Sequence, residues 1–181
     1  MASVTNKRKN ALMKTKYPSL ACFAILMMII YACQKNDSGN STLQIHLTDA
    51  PTNLDEVNID LQQVNVKFAK DSGAWVKMQT NAGIYNLLDF QNGVDTLIAS
   101  GTYPDNDVKE IRLVLGTNNS VSTNGQVYPL TIPSGSESGL KIKIGKKLRT
   151  GLDSLVIDFD ALLSVKKERD GYKLRPVIRL K

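Results

Sequence analysis

The chain has 181 residues, two cysteines, one histidine and a formal net charge of +6. Five of its 23 basic residues and none of its 17 acidic ones precede Cys33, so the chain after it carries 18 against 17, or +1. That balance excludes the concentrated basic face nucleic acid needs, and with both cysteines at or before position 33 the remainder holds no disulfide and no thiol.

The N-terminal stretch reads as an address. Lys7, Arg8, Lys9, Lys14 and Lys16 form a basic region, and Leu20 to Ala32 an apolar run. That run of about 13 residues is too short to span a bilayer core of about 30 Å as a helix. Ile30, Tyr31 and Ala32 lead into Cys33, and the four resemble the lipobox of bacterial lipoproteins, with an aliphatic residue, a small residue before the cut, and the cysteine. Tyr31 is bulkier than usual at its place. The resemblance implies diacylglyceryl on the Cys33 sulfur, cleavage before Cys33 and acylation of the new amine. Each buried CH₂ adds about 0.8 kcal/mol, so more than one chain makes a firm anchor. An uncleaved single span, or an ordinary signal peptide with an incidental cysteine, are the competing readings; the polar break directly after Cys33 favours lipidation. Met13 is an alternative start to Met1. The expected organisation is a signal peptide over 1–32, a lipidated polar tether over 33–41 and one domain over 42–181, long enough to bury about two-thirds of its unfolded surface.

The tether reaches at most about 26 Å. Gln34 is not acidic, which favours the outer membrane over retention at the inner one. Gln34-Lys35-Asn36-Asp37 loosely resembles the Lys/Asp-bearing export tags of Bacteroidetes surface lipoproteins, a plain spacer being the alternative, so the periplasmic and the surface face both stay open.

From Thr42 the apolar residues alternate, which predicts strands. Leu43, Ile45 and Leu47 make a half-buried strand ended by Asp49-Ala50-Pro51. Val57, Ile59 and Leu61 alternate, then Val64, Val66 and Phe68 resume on the opposite parity, so a β-bulge is expected at Gln62-Gln63. Asp71-Ser72-Gly73 turns the chain into a short strand around Trp75 and Val76. Ile84 to Phe90 is ambiguous. Thr96 to Ala99 predicts a short strand, and Gly101-Thr102-Tyr103-Pro104 the start of a loop ending before Val108. Ile111, Leu113 and Leu115 mark a central strand. Asn124-Gly125 is a strong hairpin signal. Val127 to Ile132 contains Pro129 and is expected at an edge. Leu140, Ile142 and Ile144 alternate with Lys141 and Lys143. Leu155 to Phe159 is a denser strand, Ala161 to Val165 a helical turn or a strand, and Tyr172 to Leu180 a last strand that Pro176 places partly at an edge or bulge. Nine or ten short strands without a long helical period describe an all-β sandwich.

Leu47-Thr48-Asp49-Ala50-Pro51, the Gly101-Thr102-Tyr103 and Ile111-Arg112-Leu113 blocks, Ser138-Gly139-Leu140-Lys141, Asp158-Phe159-Asp160-Ala161 with Ser164-Val165, and Leu174-Arg175-Pro176-Val177-Ile178-Arg179 together resemble the DUF4382 family, a domain of unknown function common in exported bacterial lipoproteins. The likeness covers about Ser41 to Lys181. It implies a transthyretin-like or immunoglobulin-like β-sandwich and supplies no activity or site.

Catalytic chemistry finds little material. His46 is the only histidine, on the polar phase of the first strand; no Gly-x-Ser-x-Gly elbow is present, and zinc would have a single imidazole and no thiolate. Asp158 and Asp160, two apart on a strand, share a face; with Asp49, or with Asp55 or Asp89, they could form an oxygen-rich calcium cage. Equally, they could cap the adjoining turns. Asp105-Asn106-Asp107 lacks the spacing of an EF-hand loop, and a glycosidase pair would need a cleft. Trp75, Tyr85, Tyr103, Tyr128 and Tyr172 either fill the core or include a platform for glycan or peptide. Lys141, Lys143, Lys146, Lys147 and Arg149 form a basic run, a solvated edge or a contact for anionic lipid. The reading is a monomeric, non-enzymatic, lipid-anchored binding or structural module of the envelope, with a glycan, small ligand or envelope protein as partner, no nucleic acid, and no cofactor unless calcium.

Overall fold

The computed structural model describes residues 39–70, 73–133 and 139–181. Cys33, the Ile30-Tyr31-Ala32 before it, the signal segment, the tether through Ser38, Asp71-Ser72 and Ser138 lie outside the described residues. The chain divides into units at Asp37/Ser38, and the second is the one described here.

Fourteen strands follow one another among the described residues: β1 (Asn40–Thr48), β2 (Glu56–Phe68), β3 (Val76–Lys77), β4 (Gln79–Thr80), β5 (Gly83–Asn86), β6 (Thr96–Pro104), β7 (Asp107–Leu115), β8 (Ser120–Thr123), β9 (Gln126–Thr131), β10 (Leu140–Lys147), β11 (Gly151–Phe159), β12 (Val165–Glu168), β13 (Gly171–Leu174) and β14 (Ile178–Leu180). A 3₁₀ turn at Leu87–Phe90 and a helical turn at Ala161–Ser164 interrupt them. One sheet has the order β14-β11-β1-β6-β4. The other runs β10-β7-β2-β8-β9-β13-β12, with β3 and β5 also on β2. The expected all-β sandwich is the observed fold.

Alternation builds the core. Leu43, Ile45 and Leu47 of β1 are fully buried and face the second sheet's Ile59, Val64, Val66, Ile111 and Leu113 in one continuous cluster. Each such side chain contributes about 1.5–3 kcal/mol on burial. β1 is internal: it pairs in parallel with β11, Thr42↔Leu152 through Thr48↔Asp158, and antiparallel with β6. The expected bulge is present, since β2 shifts register against β7 between Leu61 and Gln63. The Gln63 amide holds it, donating to Met78 O at 3.0 Å and Thr80 Oγ1 at 2.8 Å. The Asn124-Gly125 hairpin is also present, both residues having positive φ, 53° and 72°.

Several sequence expectations give way. Gly101–Pro104 is no loop but the end of β6, because Asp105-Asn106 suffices to turn into β7. β9 is not an edge: it pairs with β8 on one side and, at Leu130 and Thr131, with β13 on the other. Pro129 is tolerated because the next residue's N–H, Leu130, points to β8 and bonds Asn119 O at 2.8 Å, so the missing donor of Pro129 faces the side where β13 pairs only from Leu130 onward. The stretch from Tyr172 to Leu180 is two strands in different sheets, parted at Pro176.

Candidate functional site

The three carboxylates singled out in the sequence do come together. The parallel register ends Thr48↔Asp158, which brings Asp49, Asp158 and Asp160 to one end of the sandwich, each at most 6 % exposed. Asp49 Oδ1 accepts from Ala161 N–H at 2.8 Å, and Oδ2 from the Gln91 amide at 3.0 Å. Asp160 Oδ1 caps the helical turn, accepting from Leu163 N–H at 2.9 Å. Arg179, cross-strand from Asp158, donates to its Oδ2 at 2.7 Å and stands 3.7 Å from Asp160. Burial pushes the Asp49 carboxyl above its ordinary range and the Asp158 charge adds to this, against the bonds from Gln91 and Ala161. A guanidinium, a side-chain amide and two main-chain N–H groups thus take up four of the six oxygens, while Asp158 Oδ1 is buried without a hydrogen-bond partner. Among the described residues no group of three or more His, Cys, Asp or Glu side chains is arranged to hold a metal ion. Asp55 and Asp89 are engaged elsewhere, with Gly125 N–H and the Asn86 amide. His46 pairs with Asp95 at 2.6 Å.

Trp75 is neither core nor open platform. It is half-buried on the outside of the second sheet, with the Arg112 guanidinium 4.5 Å and the Lys67 ammonium 5.8 Å from its ring centre. Such cation–π contacts stabilise by about 0.5–2 kcal/mol. Tyr85 leans on Phe90 and Tyr103 on Phe68, and burial pushes both phenols up.

Lys146 and Lys147 point different ways. Lys147 is exposed, whereas the Lys146 ammonium is 2.9 Å from Asp153, a 3 % exposed carboxylate that also accepts from Arg149 N–H at 3.0 Å. Burial raises the Asp153 pKa, but Lys146 and Arg149 outweigh it and hold the group below its ordinary 3.8. A depressed carboxylate adds stability above its unfolded pKa and loses it as the pH falls through the folded value. Lys146→Met is therefore expected to move the acid-unfolding midpoint to higher pH, read by circular dichroism between about pH 2 and 5. An unmoved midpoint would mean that Asp153 does not depend on Lys146.

A further hub carries no signal in the sequence pattern. Asp60, 4 % exposed, sits just before the bulge of β2. Its carboxylate accepts from the Gln62 amide and from Asn118 N–H at 3.1 Å, its carbonyl from Gly116 N–H at 2.7 Å, and its N–H donates to Asn119 Oδ1 at 2.9 Å. A Cβ on Gly116 would lie 2.2 Å from Asp60 Oδ2, so only glycine fits. The loop so held walls a groove of about 400 Å³ lined by Leu115, Gly116, Thr117, Asn119 and Pro129 to Ile132. A smaller hollow of about 220 Å³ adjoins it, sharing Pro129 and Thr131 and reaching Asp170 and Lys173. Tyr128 and Tyr172 line that hollow, partly exposed, ring centres 4.9 Å apart. The signal that could have found them is the Asn124-Gly125 hairpin, which sets Tyr128 on a strand of fixed register.

Compared with known proteins, residues 40–176 match the model of a family described as "Domain of unknown function (DUF4382)". Neither the curated proteins nor the solved structures contain a match to the chain.

Proposed function

The chain belongs to the DUF4382 family, and we propose that it is a lipid-anchored cell-envelope protein whose sandwich is a non-catalytic binding or structural module. The lipobox-like Ile30-Tyr31-Ala32-Cys33 supports the anchor, and Gln34 supports the outer membrane. The observation that carries the binding half is the Tyr128–Tyr172 pair lining a hollow that opens beside the larger groove. Partly exposed rings beside hydroxyl, carboxylate and ammonium groups suit a glycan or small polar ligand, the apolar ring faces taking C–H groups and the polar groups fixing orientation. The hydrogen-bonded Asp49, Asp158 and Asp160 favour a structural role for the acidic end; a melting temperature raised by calcium and lowered by chelator would instead favour a calcium-stabilised adhesin.

Two measurements test this. Cells fed labelled palmitate are expected to label the wild-type protein and not Cys33→Ser; a soluble, unlabelled wild-type chain overturns the anchor. On a glycan array, Tyr172→Ala is expected to lower any wild-type signal about tenfold or more, as loss of a stacked ring of about 1.4 kcal/mol implies. An array signal unchanged by Tyr172→Ala removes the hollow from the recognition surface.

A further inference from the structure

Strand register sets two rows of side chains on the outside of the second sheet. Across β3, β2, β7 and β10 one row is Lys77, Asn65, Arg112 and Lys141. The row beside it, across β2, β7 and β10, is Lys67, Glu110 and Lys143. All seven lie on the outer phase, because the residues that alternate with them, such as Val66, Met78, Ile111 and Ile142, are buried in the core. The rows carry five cations and one carboxylate, +4, while the rest of the chain after Cys33 holds 13 basic against 16 acidic residues, −3. The near-neutral total therefore conceals a separation of charge. Lys77, Lys141 and Lys143 are exposed, and neither they nor Lys67 nor Glu110 makes an ion pair with a described residue. Beyond the rows, Asp107 stands opposite Lys147, and Asp60 is buried in its own hydrogen bonds, so neither offsets the excess.

Stability does not account for such a face. Lys141 and Arg112 are direct cross-strand partners, and like charges so placed destabilise a sheet. Lysines on an edge strand ward off stray pairing, which covers Lys141 and Lys143 on β10. It does not cover Lys67 and Arg112, which lie on the interior strands β2 and β7. Those two are instead gathered by Trp75, whose ring attracts both cations.

The make-up of the face selects its ligand. A stable protein partner wants a centre with few charges, and a second copy would bring like charge against like. A bilayer contact wants aliphatic side chains at the acyl boundary, yet the exposed ones, Ile84, Val127, Leu152, Leu162 and Leu163 among them, all lie outside the rows. A nucleic acid is charged along its whole length and would run on to the acidic remainder. A short acidic glycan fits: its carboxylates or sulfates meet the cations, and the hydroxyls between them accept from lysine ammonium groups. Four strands span about 14 Å, room for a few sugar rings. We infer that this face, from Lys77 to Lys141, binds an acidic glycan at a site separate from the Tyr128–Tyr172 hollow.

Trp75 is the only tryptophan of the chain and reports on the face directly. The full chain in nonionic detergent is titrated with oligogalacturonate, with dextran sulfate and with neutral dextran, and both Trp75 emission and heat are followed. Saturable binding of one or both acidic glycans and none of dextran is expected, weakening as salt is raised. Lys141→Gln plus Lys143→Gln is expected to weaken it about tenfold. Lys166→Gln plus Arg169→Gln removes two exposed cations on and beside β12, at the far edge of the same sheet, and is expected to leave it within about twofold. No heat and no emission change with either acidic glycan overturns the inference, as do equal losses in the two double variants, which would mark bulk charge. An oligonucleotide of equal charge, or phosphatidylglycerol vesicles, bound more tightly than the glycans overturns the choice of ligand. Binding lost in Tyr172→Ala but kept without Lys141 and Lys143 puts the glycan in the hollow and overturns the separate face. The reverse pattern upholds this face even where the hollow binds nothing, so the two readings fail separately.

Discussion

Asp60→Ala is expected to lower the stability of the domain by about 3 kcal/mol, because two hydrogen bonds to a buried carboxylate are worth about 1.5–3 kcal/mol each, and the lower value applies where the donor residues, Gln62 and Asn118, are exposed and regain water. For a domain of this size that is a fall in melting temperature of about 10 °C. The loss has a local face as well. Without the carboxylate, Asn118 N–H and the Gln62 amide lose their acceptor, and the wall of the larger groove is no longer fixed. Asp60→Asn keeps one acceptor oxygen and is expected to lose about half as much. Gly116→Ala should resemble Asp60→Ala, since its new Cβ would displace the same carboxylate. Denaturant titration of the three variants checks the ranking, and an Asp60→Ala domain as stable as wild type would show that this hydrogen-bond set is not holding the loop.

Phe159→Ala is the second large effect, a loss of about 3–5 kcal/mol. Phe159 is the largest fully buried side chain and lies on β11 opposite Ile178, between the buried carboxylates Asp158 and Asp160. Truncation leaves a cavity under the acidic end that the β14 pairing, three residues long, is too short to collapse into. Phe159→Leu, which keeps most of the volume, is expected to cost about 1.5 kcal/mol or less. The ratio between the two is the test: equal losses would mean that shape and not volume governs this corner.

Period-two patterning made the architecture legible. Leu43-Ile45-Leu47 and the parity change across Gln62-Gln63 announced β1 and a bulged β2, because in a half-buried strand the core itself enforces alternation. Asn124-Gly125 announced the hairpin through its need for positive φ. What failed were connections. Pro129 suggested an edge, but a proline only forbids a donor on one side, and which side depends on register. Pro176 suggested an edge or bulge within one strand, yet it carries the chain from one sheet to the other, which local pattern does not encode. The site was half legible. Asp49, Asp158 and Asp160 do share an end, but Arg179, which answers two of them, is known only once β14 pairs with β11. Lys146 looked like open charge until Asp153 was placed beneath it. Asp60 carried no signal, because a buried carboxylate differs from an exposed one only in what the rest of the chain folds over it.

The parallel pairing of β1 with β11 has a bearing on the export that the proposed anchor requires. One flank of the first strand stays bare until residues more than a hundred positions later arrive, as the Ser41↔Gly151 pairing requires. Such distant closure is slow compared with hairpin formation. A chain threaded N-terminus first through a translocation pore would therefore stay unfolded, and so transportable, until nearly all of it had crossed.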